Sequence, residues 1–246
     1  MKRWRVATFG LGVYVLALIA TAPATLIDAG LQRAGAGRLR LTEARGTLWS
    51  GIGQLEIHTA NGRVGVAGQN AWDVDAASLL YGQLVYEVEL AQASRRFPLT
   101  LSVSRLQLAD TDISLPAMEL GLGVPRLAPL GLTGDVVIHV PMLTMTRTGM
   151  EGSATVQLRG VASKLTPVAP LGDYEVRLDG KGKVVNALLL TLNGPLQLDG
   201  KGTWIDGGSA AFAVMASVPA LQRPQLAPML RLIAVERGAG RFELQF

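Results

Sequence analysis

Tyr174-Glu175-Val176-Arg177-Leu178-Asp179 and, further along, Leu188-Leu189-Leu190-Thr191-Leu192-Asn193-Gly194-Pro195-Leu196-Gln197-Leu198 are the stretches that decide the fold. In the first, apolar and charged residues alternate. Successive side chains of an extended strand point to opposite sides, so Tyr174, Val176 and Leu178 share one face and the charges share the other. In the second, Leu188, Leu190 and Leu192 line a face, Asn193-Gly194 supplies the positive φ of a tight turn, and Leu196 and Leu198 resume the alternation. Half-wet strands joined by short turns read as an antiparallel sheet.

The same texture recurs outward in both directions. Leu39 and Leu41, Leu55 and Ile57, Tyr86, Val88 and Leu90, Leu99, Leu101 and Val103, Val136, Ile138 and Val140, and Phe242, Leu244 and Phe246 each mark a strand face, with Glu87 and Glu89 on a wet one. Asn61-Gly62, Asp199-Gly200 and Asp206-Gly207-Gly208 read as further turns. One helix stands out late in the chain, Pro224 to Glu236, where Leu226, Met229, Leu230 and Ile233 fall on one face and Pro228 lies in the first turn. Pro116 to Gly134, rich in proline and glycine, reads as a crossover between two halves.

The beginning is different. Lys2, Arg3 and Arg5 precede Val6 to Ile27, a run without a charged residue. As a helix it would be about 33 Å long, matching a bilayer's hydrocarbon, and a lone segment there must satisfy its own backbone. It reads as an uncleaved membrane anchor. The rival is a signal peptide with Ala20 and Ala22 in A-x-A spacing, but Pro23 would sit just past the cut and the run is long for such a segment. Arg33, Arg38, Arg40 and Arg45 nearly balance the basic tail, and the short tail is placed in the cytoplasm because long domains translocate largely regardless of charge. Trp4 fits the interfacial belt. The Tyr14 hydroxyl, deep in the run, takes a partner on another helix or a carbonyl of its own.

The division that follows is 1–27 as tail and anchor and 28–246 as a β-rich domain, which admits two similar halves, 38–115 and 132–246. Leu80-Tyr81-Gly82 leading to Tyr86-Glu87-Val88 is echoed by Leu171-Gly172-Asp173 leading to Tyr174-Glu175-Val176. The pI near 9.7 comes largely from the anchor's flank: beyond residue 27, 20 basic residues face 19 acidic ones. Nothing there concentrates positive charge for nucleic acid. Without cysteine there are no disulfides, thiolate nucleophiles or cysteine metal sites.

Catalytic and metal motifs are missing as well. His58 and His139 sit inside alternating patterns with no H-E-x-x-H or G-x-S-x-G nearby, and read as strand-face histidines with a local hydrogen bond or in water. Asp73 and Asp75, Asp110 and Asp112, and Glu87 and Glu89 are i, i+2 pairs, the spacing of one strand face. No catalytic, cofactor-binding or metal residue is assigned and no cofactor is expected. Trp49, Trp72 and Trp204 read as core. The final strand resembles one of an outer-membrane barrel, but the strands are short for crossing and a closing strand of the domain is simpler.

Taken in order, Pro23 and Ala24, Leu41, Gly46-Thr47-Leu48-Trp49-Ser50-Gly51, Trp72, Leu79-Leu80-Tyr81-Gly82-Gln83-Leu84, Leu115-Pro116-Ala117, Pro170-Leu171-Gly172-Asp173-Tyr174, Gly194-Pro195-Leu196-Gln197-Leu198-Asp199-Gly200, Trp204 and the Pro224 helix resemble protein N of the type II secretion system, the general secretion pathway. The likeness spans nearly the whole chain. It departs at Ala154-Thr155-Val156, where such proteins tend to carry a tryptophan. The resemblance implies a single-pass inner-membrane protein with its bulk in the periplasm. It also implies no enzymatic activity, and partners among the other secretion proteins, from the inner-membrane platform to the secretin. By analogy of shape it also implies a curved sheet with an AsmA-like apolar groove and one or two short helices. From another class, the alternative is an AsmA-like lipid-binding or lipid-transfer module, since an apolar sheet face must be covered by its other half, a partner or lipid. A hydrolase is a distant third.

Overall fold

The computed structural model describes residues 2–34, 37, 39–58, 64–91, 93, 95–102, 104–117, 125–205, 210–238 and 240–244. Two helices come first, α1 (Lys2–Ala20) and α2 (Thr25–Ala34). The strands are β1 (Leu39–Gly46), β2 (Ser50–His58), β3 (Val64–Val74), β4 (Leu84–Glu89), β5 (Phe97–Ser102), β6 (Arg105–Pro116), β7 (Leu132–Thr146), β8 (Gly149–Ser163), β9 (Gly172–Gly182), β10 (Val184–Asn193), β11 (Gln197–Ile205), β12 (Ala210–Ser217), β13 (Ala234–Gly238) and β14 (Arg241–Leu244). A third helix, α3 (Arg223–Leu230), lies between β12 and β13, and 3₁₀ turns occupy Ala76–Tyr81 and Pro125–Leu130.

All 14 strands join one open sheet in which sequence order is spatial order as far as β12; β14 then pairs with β12, and β13 takes the edge. Every pairing is antiparallel, as the alternation and short turns predict. The segment after Pro116 is therefore not a crossover. It joins β6 and β7, which are direct neighbours with Ile113 opposite Ile138.

By register, Ile113, Ile138, Val156, Val176, Leu189, Gly200, Val214, Leu244 and Ala234 form one row across nine strands of the apolar face. Two ends of that face are capped. At one, Leu41, Trp72, Val74 and Tyr86 bury against Ala24, with Ile27 and Leu31 of α2 packed on them. At the other, Tyr174, Val214, Ala216, Phe242 and Leu244 bury against Leu226, Met229 and Leu230 of α3. Between the caps Leu106, Leu108, Ile113, Ile138, Leu143, Val156 and Val176 stay half-buried, and Met145 is exposed.

The late helix is shorter than its periodicity predicts. It runs only to Leu230, and Ala234–Gly238 is strand, so the reading to Glu236 is corrected at its C-terminal end. The burying face is as expected, with Leu226, Met229 and Leu230 at 3% exposure or less. Pro224 occupies the first turn and Pro228 lies inside the helix. Asp199-Gly200 is no turn either. Both lie within β11, where a side chain at Gly200 would crowd Val214 and Leu189, so the glycine serves a close approach rather than a bend. Asn193-Gly194 is a turn, with Gly194 at φ 120. Asn61-Gly62, Asp206-Gly207-Gly208 and Phe246 lie outside the described residues.

The apolar run at the start does not form one helix to Ile27. α1 stops at Ala20, Pro23 forms a β-bridge with Thr47, and α2 starts at Thr25. Proline disfavours helix in the residue before it and offers no amide to the preceding turn, so the break falls where Pro23 requires. Among the described residues no helix is long and apolar enough to cross a membrane.

Candidate functional site

Gly46-Thr47-Leu48-Trp49-Ser50-Gly51, the turn from β1 to β2, is a clasp on the end of α1. Gly46 takes φ +102, a conformation that side-chain-bearing residues rarely adopt, and Ser50 O fills the space a Cβ would need. Thr47 Oγ1 accepts from the amides of Trp49 and Ser50 at 3.2 Å each, closing the turn. Gly51 lies under the Trp72 ring, whose Cζ2 stands 2.5 Å from where a Cβ would be. Trp72 Nε1–H donates to Thr47 O at 3.1 Å.

The outward side of the turn holds the helix. Trp49 Nε1–H donates to Ile19 O at 2.8 Å, the Leu48 amide to Ala22 O at 2.7 Å, and the Ala24 amide to Gly46 O at 3.3 Å. Asp28 of α2 then covers the free side of β1: Oδ1 accepts the Leu41 amide at 2.8 Å, and Oδ2 accepts Gln32 Nε2 at 2.7 Å with Arg40 at 3.8 Å. The β1 edge is thus protected, as sheet edges exposed to other chains usually are. At the opposite edge, Val235 to Gly238 of β13 are exposed along their length.

The polar face carries the histidines and carboxylates the sequence singles out. Asp112, His139, Thr155 and Arg177 stand opposite one another across β6 to β9. His139 Nδ1 lies 2.6 Å from Asp112 Oδ1, and Arg95 reaches Asp110 Oδ1 at 2.5 Å and Asp112 Oδ2 at 4.0 Å. His58 Nε2 meets Glu56 Oε2 at 3.1 Å, far along the sheet from His139. Both histidines therefore make the local bond expected of them, and they are not brought together. Glu89 pairs with Arg96 at 2.8 Å. Among the described residues no cluster of His, Asp and Glu could hold a metal ion.

Glu175 departs from the wet-face reading. It is buried, accepts from Arg177 Nε at 2.6 Å and from Gln157 Nε2 at 3.0 Å, and these bonds hold its carboxyl below the usual carboxylate range, Arg177's first. A shallow hollow of about 420 Å³ lined by His139, Thr155, Gln157, Glu175 and Arg177 is floored by these charge pairs. Beneath it, burial pushes the Tyr174 phenol well above its ordinary value, with the Asp173 charge adding to the effect, and Oη donates to Leu196 O at 3.0 Å.

Of the three sheet tryptophans, Trp72 is core, Trp49 is half-buried at the clasp, and Trp204 is 53% exposed, which corrects its core reading. The clasp itself lay in the Gly46-to-Gly51 motif. What it grips was not legible, because the partner is backbone about 30 residues earlier.

Residues 37–245 match the family model described as type II secretion system (T2SS), protein N. The chain belongs to this family. A type II secretion component, associated with the other proteins of that system, is what membership establishes. No characterised protein and no solved structure matches the chain. The AsmA-like analogy therefore has the sequence pattern alone behind it.

Proposed function

We propose that this chain is a non-enzymatic inner-membrane component of the type II secretion system that contributes to export of folded proteins from the periplasm across the outer membrane. Of residues 1–27, read as its cytoplasmic tail and anchor, the helix to Ala20 is the part that enters the membrane, since Ala24 and Ile27 pack on the sheet, and 28–246 is its periplasmic domain, which admits 38–115 and 132–246 as two halves. The family match over 37–245 carries the reading. For the anchor, the support is that every residue from Phe9 to Ile19 is exposed, Phe9 at 74% and Leu16 at 67%, so this stretch of α1 is greasy on all sides. For a non-catalytic role, it is that each histidine bonds a carboxylate of its own, far from the other, and that the buried Glu175 is held by Arg177 and Gln157.

The partners on this reading are the inner-membrane platform and the secretin. Deleting the gene is expected to leave folded exoproteins in the periplasm, and the full chain to restore release while a chain lacking α1 does not. Normal release from the deletion strain would refute it. The middle of the apolar face, half-buried at Ile113, Ile138, Val156 and Val176 though closed over Val136 and Val140, favours a second reading, a lipid-binding or lipid-transfer module. Phospholipid retained by the detergent-free 28–246 domain in native mass spectrometry would support it, and a lipid-free domain would count against it.

A further inference from the structure

α1 is short for a bilayer. Its uncharged part, Val6 to Ala20, rises only about 22 Å, against a hydrocarbon core of about 30 Å. The chain does not make up the difference by continuing as helix, because Thr21 to Ala24 turn away into the bridge with Thr47. What continues the greasy surface is supplied from elsewhere in the chain. Leu48 and Trp49 are half-buried at the end of α1, beside Ile19 at 50% and Leu26 at 52% exposure. A span shorter than the hydrocarbon draws its flanking residues inward, and tryptophan suits interfacial depth, with a greasy ring and an N–H that here already has its acceptor in Ile19 O.

We propose that the Leu48-Trp49 tip, together with Leu26, is a lipid-contacting surface seated in the interfacial layer of the leaflet from which α1 emerges. The sheet then stands on the membrane at a set angle instead of swinging on a tether. The proposal rests on the anchor reading and names what the domain touches beside it. Lipid, and not a partner's strand, is the occupant because the backbone of the tip is already used: Thr47 bridges Pro23, Trp49 O accepts the Val74 amide at 2.7 Å, and Thr47 O accepts Trp72 Nε1. What remains open is side-chain grease: Ile19 and Leu26 are exposed, and Leu48 and Trp49 are half-buried, Trp49 with part of its ring packed on the sheet core. Arg45, exposed and next to the clasp, adds attraction to anionic headgroups.

The absence of cysteine makes the test direct. Full-length Leu48→Cys and Leu26→Cys, each carrying an NBD label, are reconstituted in phosphatidylethanolamine–phosphatidylglycerol vesicles containing a lipid spin-labelled near its headgroup. Leu221→Cys, at a site 89% exposed and beside the other end of the sheet, is the reference. The expected result is blue-shifted emission and several-fold stronger quenching at 48 and 26 than at 221. Equal quenching at all three sites with α1 resistant to carbonate extraction would overturn the proposal and leave the anchor standing. Extraction of the protein by carbonate would overturn both.

Discussion

Glu175 and Tyr174 are buried polar groups of this sheet with their partners in place, and they show what that satisfaction is worth. Glu175 has its folded pKa depressed by Arg177 and Gln157. Its contribution is therefore present above the unfolded carboxyl pKa of about 4.3 and fades as pH falls through the lower folded value. Glu175→Gln is expected to lose about 1 kcal/mol or less at pH 7, because Arg177 is 62% exposed, and the gap to the native chain should close in acid. Urea melts at pH 7 and below pH 4 measure it, and a gap that widens in acid would contradict the assignment. Tyr174→Phe strips a buried hydroxyl from Leu196 O and leaves that carbonyl without its donor. A fall in stability of about 1–2 kcal/mol with an unchanged m-value is expected.

At the scale of elements, the alternation exposed most strands it touched, including β1, β2, β7, β9 and β14, whereas in β10 it marked the wrong face, since Leu188 stands opposite Arg177 and Leu190 opposite Glu175 while Leu189 joins the apolar row. It passed over β3, β6, β8, β12 and β13, and for β6, β8 and β12 the reason is physical. In β6 the phase slips at Asp110, whose φ of 46 carries the apolar set from Leu106 and Leu108 to Ile113 and Leu115. β8 is built of small residues around Gly152, and β12 is an alanine-rich run whose two faces look alike in sequence. Alternation also says which residues share a face and not whether anything covers it, which is why Trp204 was misread. The end of α1 is hidden in the same way: Ala24 and Ile27 are as apolar beside Leu41 as they would be in lipid. The edge of β1 gives a prediction at this scale. Asp28→Ala should speed hydrogen exchange at the Leu41 amide, cost about 1–2 kcal/mol and promote self-association. An unchanged Leu41 exchange rate would show that Asp28 does not guard the edge.

Across the whole molecule, one open sheet carries two capped cores, and the helix-bearing end is locked to the sheet by Trp49, Leu48 and Ala24. Neighbours in the sheet are neighbours in sequence as far as β12, so most pairings join consecutive strands and the sheet can be assembled hairpin by hairpin. The clasp makes the placement of α1 a property of the folded domain, and on the proposed anchor reading it ties position at the membrane to integrity of β1 to β3. The most direct measurement of the central claim is protease treatment of intact spheroplasts from cells making the full chain with an N-terminal tag. The account predicts that the sheet is digested from the periplasmic side while a short tagged fragment stays with the membrane and resists carbonate. Protection of the sheet until the spheroplasts are lysed, or recovery of the chain in the soluble fraction, would contradict it.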